Sequence, residues 1–259
     1  MMRQFTTIFK REMMEISRNF KWIWVPIVFI LLGIMDPLST YYLPQILEAV
    51  GGLPDGATID IPTPSSPEIL MMSIGQFSQL GVLTIVLMSM GLIAGERKSG
   101  VAELVLVKPV SHGIYILAKW AGTLVLALGS LTIGMAAAWY YTNLLFDPIP
   151  FTDFLWALFF YGMWIVLVVS ITVFMNTLFK TPGLVGFLSV LTIIVLNIVS
   201  NIFGHALDYS PTKLSPYIQT MLVDGSVSSD LWGTAAVTIV CVVILLLAAT
   251  FVFRTKELA

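Results

Sequence analysis

Apolar and polar positions alternate along this chain in blocks rather than residue by residue. Six runs of roughly 20 predominantly apolar residues, near Trp22 to Leu38, Ile69 to Ala94, Ile114 to Tyr141, Phe154 to Phe179, Gly183 to Phe203 and Leu231 to Phe253, are separated by shorter polar segments. At 1.5 Å of rise per residue, a helix of about 20 residues crosses a hydrocarbon core of about 30 Å. The pattern therefore predicts an all-α membrane protein of six transmembrane helices, one domain over 1–259 with no internal repeat or linker.

The polar segments differ in character. In residues 1–21, Phe5, Ile8, Phe9, Met13 and Ile16 recur at helical spacing, with Lys10, Arg11, Glu15 and Arg18 elsewhere on the wheel. This predicts an amphipathic helix lying in the membrane interface, not a secretory signal, because the stretch is too charged and lacks a small-residue cleavage site. Residues 39–68, rich in Pro, Gly and Asp, read as an irregular outer loop. In 204–230, Leu214, Tyr217, Ile218, Met221 and Leu222 supply an apolar face, as for a short helix at the outer surface.

Composition agrees with a lipid environment: 58% of the 259 residues are hydrophobic and 11% are charged, against roughly 25% charged in soluble domains. The net charge of −2 conceals a strong asymmetry. Six spans place residues 1–21, 95–120, 180–182 and 254–259 on one side, and these hold every lysine and arginine except Lys213. The positive-inside rule assigns that side, with both termini, to the cytoplasm of a cell membrane. The lone cysteine, Cys241, lies in an apolar run and reads as a packing residue.

Polar side chains at membrane depth are few. Gln76, Gln79, Asn176, Asn197 and Asn201 are amides, suited either to hydrogen bonding between packed spans or to lining a cavity. Asp36 and His205 fall at outer span ends and are expected to face water. A carrier coupled to protons or sodium would bury ionisable groups along its path, and the spans offer almost none. Gly122, Gly129, Gly134 and Ala138 fit close helix approach in the third span.

The remaining segment, 95–113, is charged where its neighbours are oily. Glu96 to Val107 contains no helix breaker except Gly100, which predicts that the second span continues as a helix beyond the membrane, until Pro109 ends it. Ser111 stands where a hydroxyl can cap a new helix from His112 into the third span. The stretch "GERKSGVAELVLVKPVSHGIYILAKW" resembles the signature of type-2 ATP-binding-cassette permeases through Glu96, Gly100, Glu103, Leu104, Leu106, Pro109, Val110, Ser111 and Lys119. It departs at Val101, Lys108, His112 and Ala118.

That resemblance implies a transmembrane subunit paired with a second copy or a homologue and with two copies of a cytosolic ATPase. Glu96, Arg97, Lys98, Gly100, Glu103, Pro109 and Ser111 would then form the ATPase-coupling element. It further implies a bacterial exporter of an amphipathic or hydrophobic substrate such as a peptide, drug or lipid. No G-x-x-x-x-G-K-[ST] loop occurs, so ATP and Mg²⁺ are assigned to the partner and no cofactor to this chain. No catalytic or metal-binding set is found: there is no H-E-x-x-H, and the predicted topology puts His112 and His205 on opposite sides of the membrane. No basic, aromatic-lined groove suggests nucleic acid. Two other classes remain open, a membrane-embedded accessory or immunity protein and an intramembrane enzyme.

Overall fold

A computed structural model describes residues 2–49, 64–100, 111–204 and 207–257. Helix α1 (Met2–Arg18) is followed by a sharp turn at Phe20, whose φ of 55° lies in the left-handed region, and then by α2 (Lys21–Ala49), the first span. The second span is built in pieces: α3 (Ser66–Gln76), a π-helical turn (Phe77–Gly81), α4 (Val82–Ser89) and, after a break, α5 (Ala94–Lys98). Spans three to five are α6 (His112–Leu145), α7 (Phe151–Leu178) and α8 (Pro182–Ile202). A short 3₁₀ turn (Pro211–Lys213) leads into α9 (Leu214–Asp224), and α10 (Ser229–Glu257) is the sixth span. Among the described residues there is no strand, and six helical segments are long and apolar enough to cross a bilayer.

The first span runs past Leu38 to Ala49, into the stretch expected to begin an outer loop. Its prolines do not end it because their lost hydrogen bonds are replaced or tolerated. Pro37 cannot donate to the Gly33 carbonyl, four residues back, and the Ser73 hydroxyl from α3 donates to that carbonyl instead at 3.2 Å. Residues 50–63 of that loop lie outside the described residues.

Burial sorts the spans. Span four is the most enclosed, with 67% of its apolar window buried, and span six the least, with 22%. Spans one and three make the most extensive helix pair, and α1 lies along span three. The closeness of the first pair is a glycine effect. A Cβ on Gly33 would sit 2.3 Å from the Gly134 carbonyl oxygen, and one on Gly134 would sit 2.7 Å from that of Phe29. The helices thus touch backbone to backbone, the arrangement small residues permit in lipid. Phe29 and Phe77 stack beside this contact at 5.5 Å.

In α9, Leu214, Ile218, Met221 and Leu222 are buried and Tyr217 half-buried, so the apolar face expected there docks onto the bundle. Gly225, with φ of 67°, ends that helix as a left-handed cap. The end of the bundle where spans one, three and five begin and spans two, four and six finish is termed the basic end.

Candidate functional site

At the basic end, the second span's last turn, α5, presents Glu96 and Arg97 to the bundle rather than to solvent. The Glu96 carboxylate, only 9% exposed, accepts from Arg11 Nη2 at 3.0 Å, from Lys119 Nζ at 3.2 Å and from the Tyr115 hydroxyl. Lys119, itself buried, also donates to Glu12 Oε2 at 2.9 Å. Two carboxylates and two cations from three elements thus form a closed, near-neutral knot. Desolvating Glu12, Glu96 and Lys119 is costly, and charge-assisted hydrogen bonds, one of them from the partly exposed Arg11, must supply the compensation. Burial raises the Glu12 carboxyl above its ordinary value, with Lys119 opposing. Gly122 leaves the space: a Cβ there would lie 2.7 Å from Glu12 Cγ.

Arg97 turns the other way. Its Nη1 donates to the Thr177 carbonyl at 3.0 Å, and its guanidinium lies over the Phe253 ring at 5.8 Å. Phe253 in turn stacks on Tyr115 at 5.5 Å. Consequently α5 is tied to α1 and to spans three, four and six.

Lys98 is exposed, and Gly100 follows with φ of 76°. The expectation of one helix from the second span to Val107 is therefore corrected twice: the helix breaks over Met90–Ile93, and α5 ends at Lys98, before Gly100 enters the left-handed region that only glycine adopts without strain. Glu103 and Pro109 lie outside the described residues, as do the other signature positions between 101 and 110. Ser111 is the N-cap of α6, its hydroxyl accepting from the Ile114 amide at 3.3 Å.

The five intramembrane amides separate into two groups. Asn176 is fully buried and uses its whole hydrogen-bonding capacity within the bundle, accepting from Ile93 and Ala94 and donating to Ser89 and Thr172. Gln76 donates to Asp36 Oδ1 at 3.4 Å. Asp36 is thereby turned toward the second span instead of facing outer water, a correction that follows from the chance to pair two polar groups that lipid cannot solvate. His205 is outside the described residues.

Gln79, Asn197 and Asn201 instead line a cavity of about 500 Å³ between spans two, four and five, beneath the 3₁₀ turn. Val82, Trp164, Val190, Ile193 and Ile194 make most of its wall apolar. The π-helical turn at Phe77–Gly81 contributes Ser78 and Gln79 to the rim, and Ser78 Oγ lies 3.0 Å from the Tyr161 hydroxyl. π-bulges of this kind recur at functional sites because the extra residue redirects side chains.

A family model described as ABC-2 family transporter protein matches residues 6–258. The chain belongs to that family. It is also similar to an uncharacterized transmembrane protein, YxlG, of Bacillus subtilis strain 168, at 27% identity over 256 residues, which is 99% of each chain. An ABC-2 chain is the membrane subunit of a transporter, generally non-catalytic itself, and permeases of this family generally work with ABC ATPases.

For an ABC-2 subunit, the structure adds partners to the signature that sequence reasoning missed. By spacing alone Arg11 belongs to the polar face of α1, and Glu12 carries no assigned role. Yet Glu12 falls four residues after Ile8 and four before Ile16, in the middle of the buried stripe, so a carboxylate on the apolar face was the available signal. Tyr115, one turn before Lys119, carried no signal at all. Among the described residues, no group of three or more histidine, cysteine, aspartate or glutamate residues is arranged to hold a metal ion.

Proposed function

We propose that this subunit is the permease half of an ABC exporter, whose spans rearrange in response to ATP hydrolysis by a separate cytosolic ATPase. The basic end faces the cytoplasm on this reading, with both termini, and a second permease copy, identical or homologous, completes the transmembrane pathway with two ATPase copies. Supporting it are the family membership, the absence of a phosphate-binding loop from the sequence and the distribution of basic residues.

The observation that carries the reading is the knot around Glu96. It lies at the root of the segment that bears the family signature, so a displacement applied beyond Gly100 is delivered to α1 and to spans three, four and six together. Glu103, Lys98 and Pro109 are the proposed contacts to the ATPase, whereas Glu96 and Arg97 serve by holding the lever's base. The cavity, mostly apolar with amide groups from spans two and five in its lining, suits an amphipathic or hydrophobic substrate of peptide, drug or lipid type.

Co-purification with a P-loop ATPase, followed by reconstitution in liposomes, tests this. ATP hydrolysis by the partner should be stimulated by the wild-type subunit and uncoupled by Glu103→Arg. Nucleotide hydrolysis by the isolated subunit would overturn the division of labour, and unchanged coupling in Glu103→Arg would overturn the contact.

A further inference from the structure

Between Val82 and Lys98 the second span contains no proline, yet its helix stops at Ser89 and resumes at Ala94. Steric crowding at Gly91 does not force the break, since a Cβ added there would meet nothing within 4 Å. What holds it open is a set of substitute hydrogen bonds. In a continuous helix Leu92, Ile93 and Ala94 would donate to the carbonyls of Met88, Ser89 and Met90. Here the Ile93 and Ala94 amides both donate to Asn176 Oδ1, at 3.1 and 3.0 Å. Asn176 Nδ2 donates to the Ser89 carbonyl at 3.1 Å, Lys21 Nζ donates to that of Met88 at 2.8 Å, and Leu92 is diverted to Ser89.

We propose that Met90–Ile93 is a two-position joint in the second span, held open by Asn176 of span four and Lys21 of span one, and able to close into unbroken helix. Amides 92 to 94 find carbonyl or amide-oxygen acceptors in both positions, so the interconversion leaves none of them stranded in the apolar interior, which is the condition for such a change inside a bilayer. At the joint itself, closing removes contacts from two side chains, Lys21 and Asn176. Lys21, at the very start of its span, can extend to water, while buried Asn176 loses three of its bonds and so favours the open position. The break also sets the rotation of α5 about the span axis. Winding it shut turns Glu96 and Arg97 off their partners, so joint and knot change together, as a bistable element requires. Asn176 and Lys21 are positioning residues in this scheme, and neither a nucleotide nor an ATPase is needed to detect it.

The test uses the full-length chain in proteoliposomes on a Cys241→Ser background, with nitroxide labels at Met14→Cys in α1 and Lys98→Cys in α5, both exposed positions. Pulsed dipolar spectroscopy should find one dominant distance and a minor second one. Asn176→Leu and Lys21→Met, each weakening only the open position, should raise the second population at least fivefold. In Asn176→Leu the Ile93 and Ala94 amides should stay protected from hydrogen exchange, because they return to the carbonyls of Ser89 and Met90. Distance distributions unchanged in both variants, or broadened without a second resolved distance, would overturn the joint, as would exchange of those two amides within seconds. Should Asn176→Leu fail to fold, Lys21→Met decides by the same distances.

Discussion

Lys119 serves two carboxylates at once, Glu12 at 2.9 Å and Glu96 at 3.2 Å, in a place where water does not reach it. Removing the cation leaves both acids buried, and Lys119→Met should cost about 3–5 kcal/mol at pH 8, against less than about 0.5 kcal/mol for Lys98→Ala on the surface. The pH dependence has a definite sign. Burial already lifts the Glu12 carboxyl above its ordinary 4.5, and loss of Lys119 removes the influence that opposes the lift. The folded state then binds a proton that the unfolded state has released, so the variant's stability should fall as pH rises from about 5 to 8. Thermal melting in detergent across that range checks both statements; a flat profile would show that the knot is solvated. Lys119 and Glu96 were legible in the sequence as signature residues, but the second carboxylate on Lys119 was not. Glu12 lies 107 residues from Lys119 along the chain, and only the docking of α1 joins them.

Among elements, the contact of spans one and three rests on two glycines with no room for a side chain. Gly134→Val should lower stability by at least about 1–3 kcal/mol, since the obstructing atoms belong to the Phe29 backbone and cannot rotate away. Gly129→Ala is the matched control. Its Cβ would meet only the Trp22 ring at 3.8 Å, an ordinary contact, so the substitution should be neutral or stabilising by up to about 1 kcal/mol through helix propensity. Equal losses in the two variants, measured by melting, would remove the close approach as an explanation. The small-residue stripe of the third span was visible in sequence, whereas which glycine met backbone and which met a ring depended on the crossing point. Element ends were less legible for a related reason. Pro37 reads as a breaker when taken alone, and it is the Ser73 hydroxyl across the interface that makes the continued helix tolerable.

For the whole molecule, the cavity between spans two, four and five offers a prediction separable from stability. Asn201 is exposed at its edge, so Asn201→Trp should occupy the space with little change in melting temperature. Binding of a neutral solvatochromic dye should weaken about tenfold, or about 1.4 kcal/mol; unchanged dye affinity would show that the cavity is not the binding region. The division between what one dimension and three dimensions supplied is physical. Span number, helical class and the sorting of basic residues to one end follow from the chain alone, because a bilayer demands about 20 apolar residues per crossing and the positive-inside rule acts segment by segment. The fate of each polar group inside the bundle was decided by tertiary structure. Five amides of similar character became two helix stitches and three cavity-lining groups. Two signature residues became buried braces, and the second span acquired a break whose substitute hydrogen bonds come from Asn176 and Lys21 on other spans. In lipid a polar group takes whatever partner packing brings within reach, and for Asn176 and Gln76 the deciding partners lie on a different span.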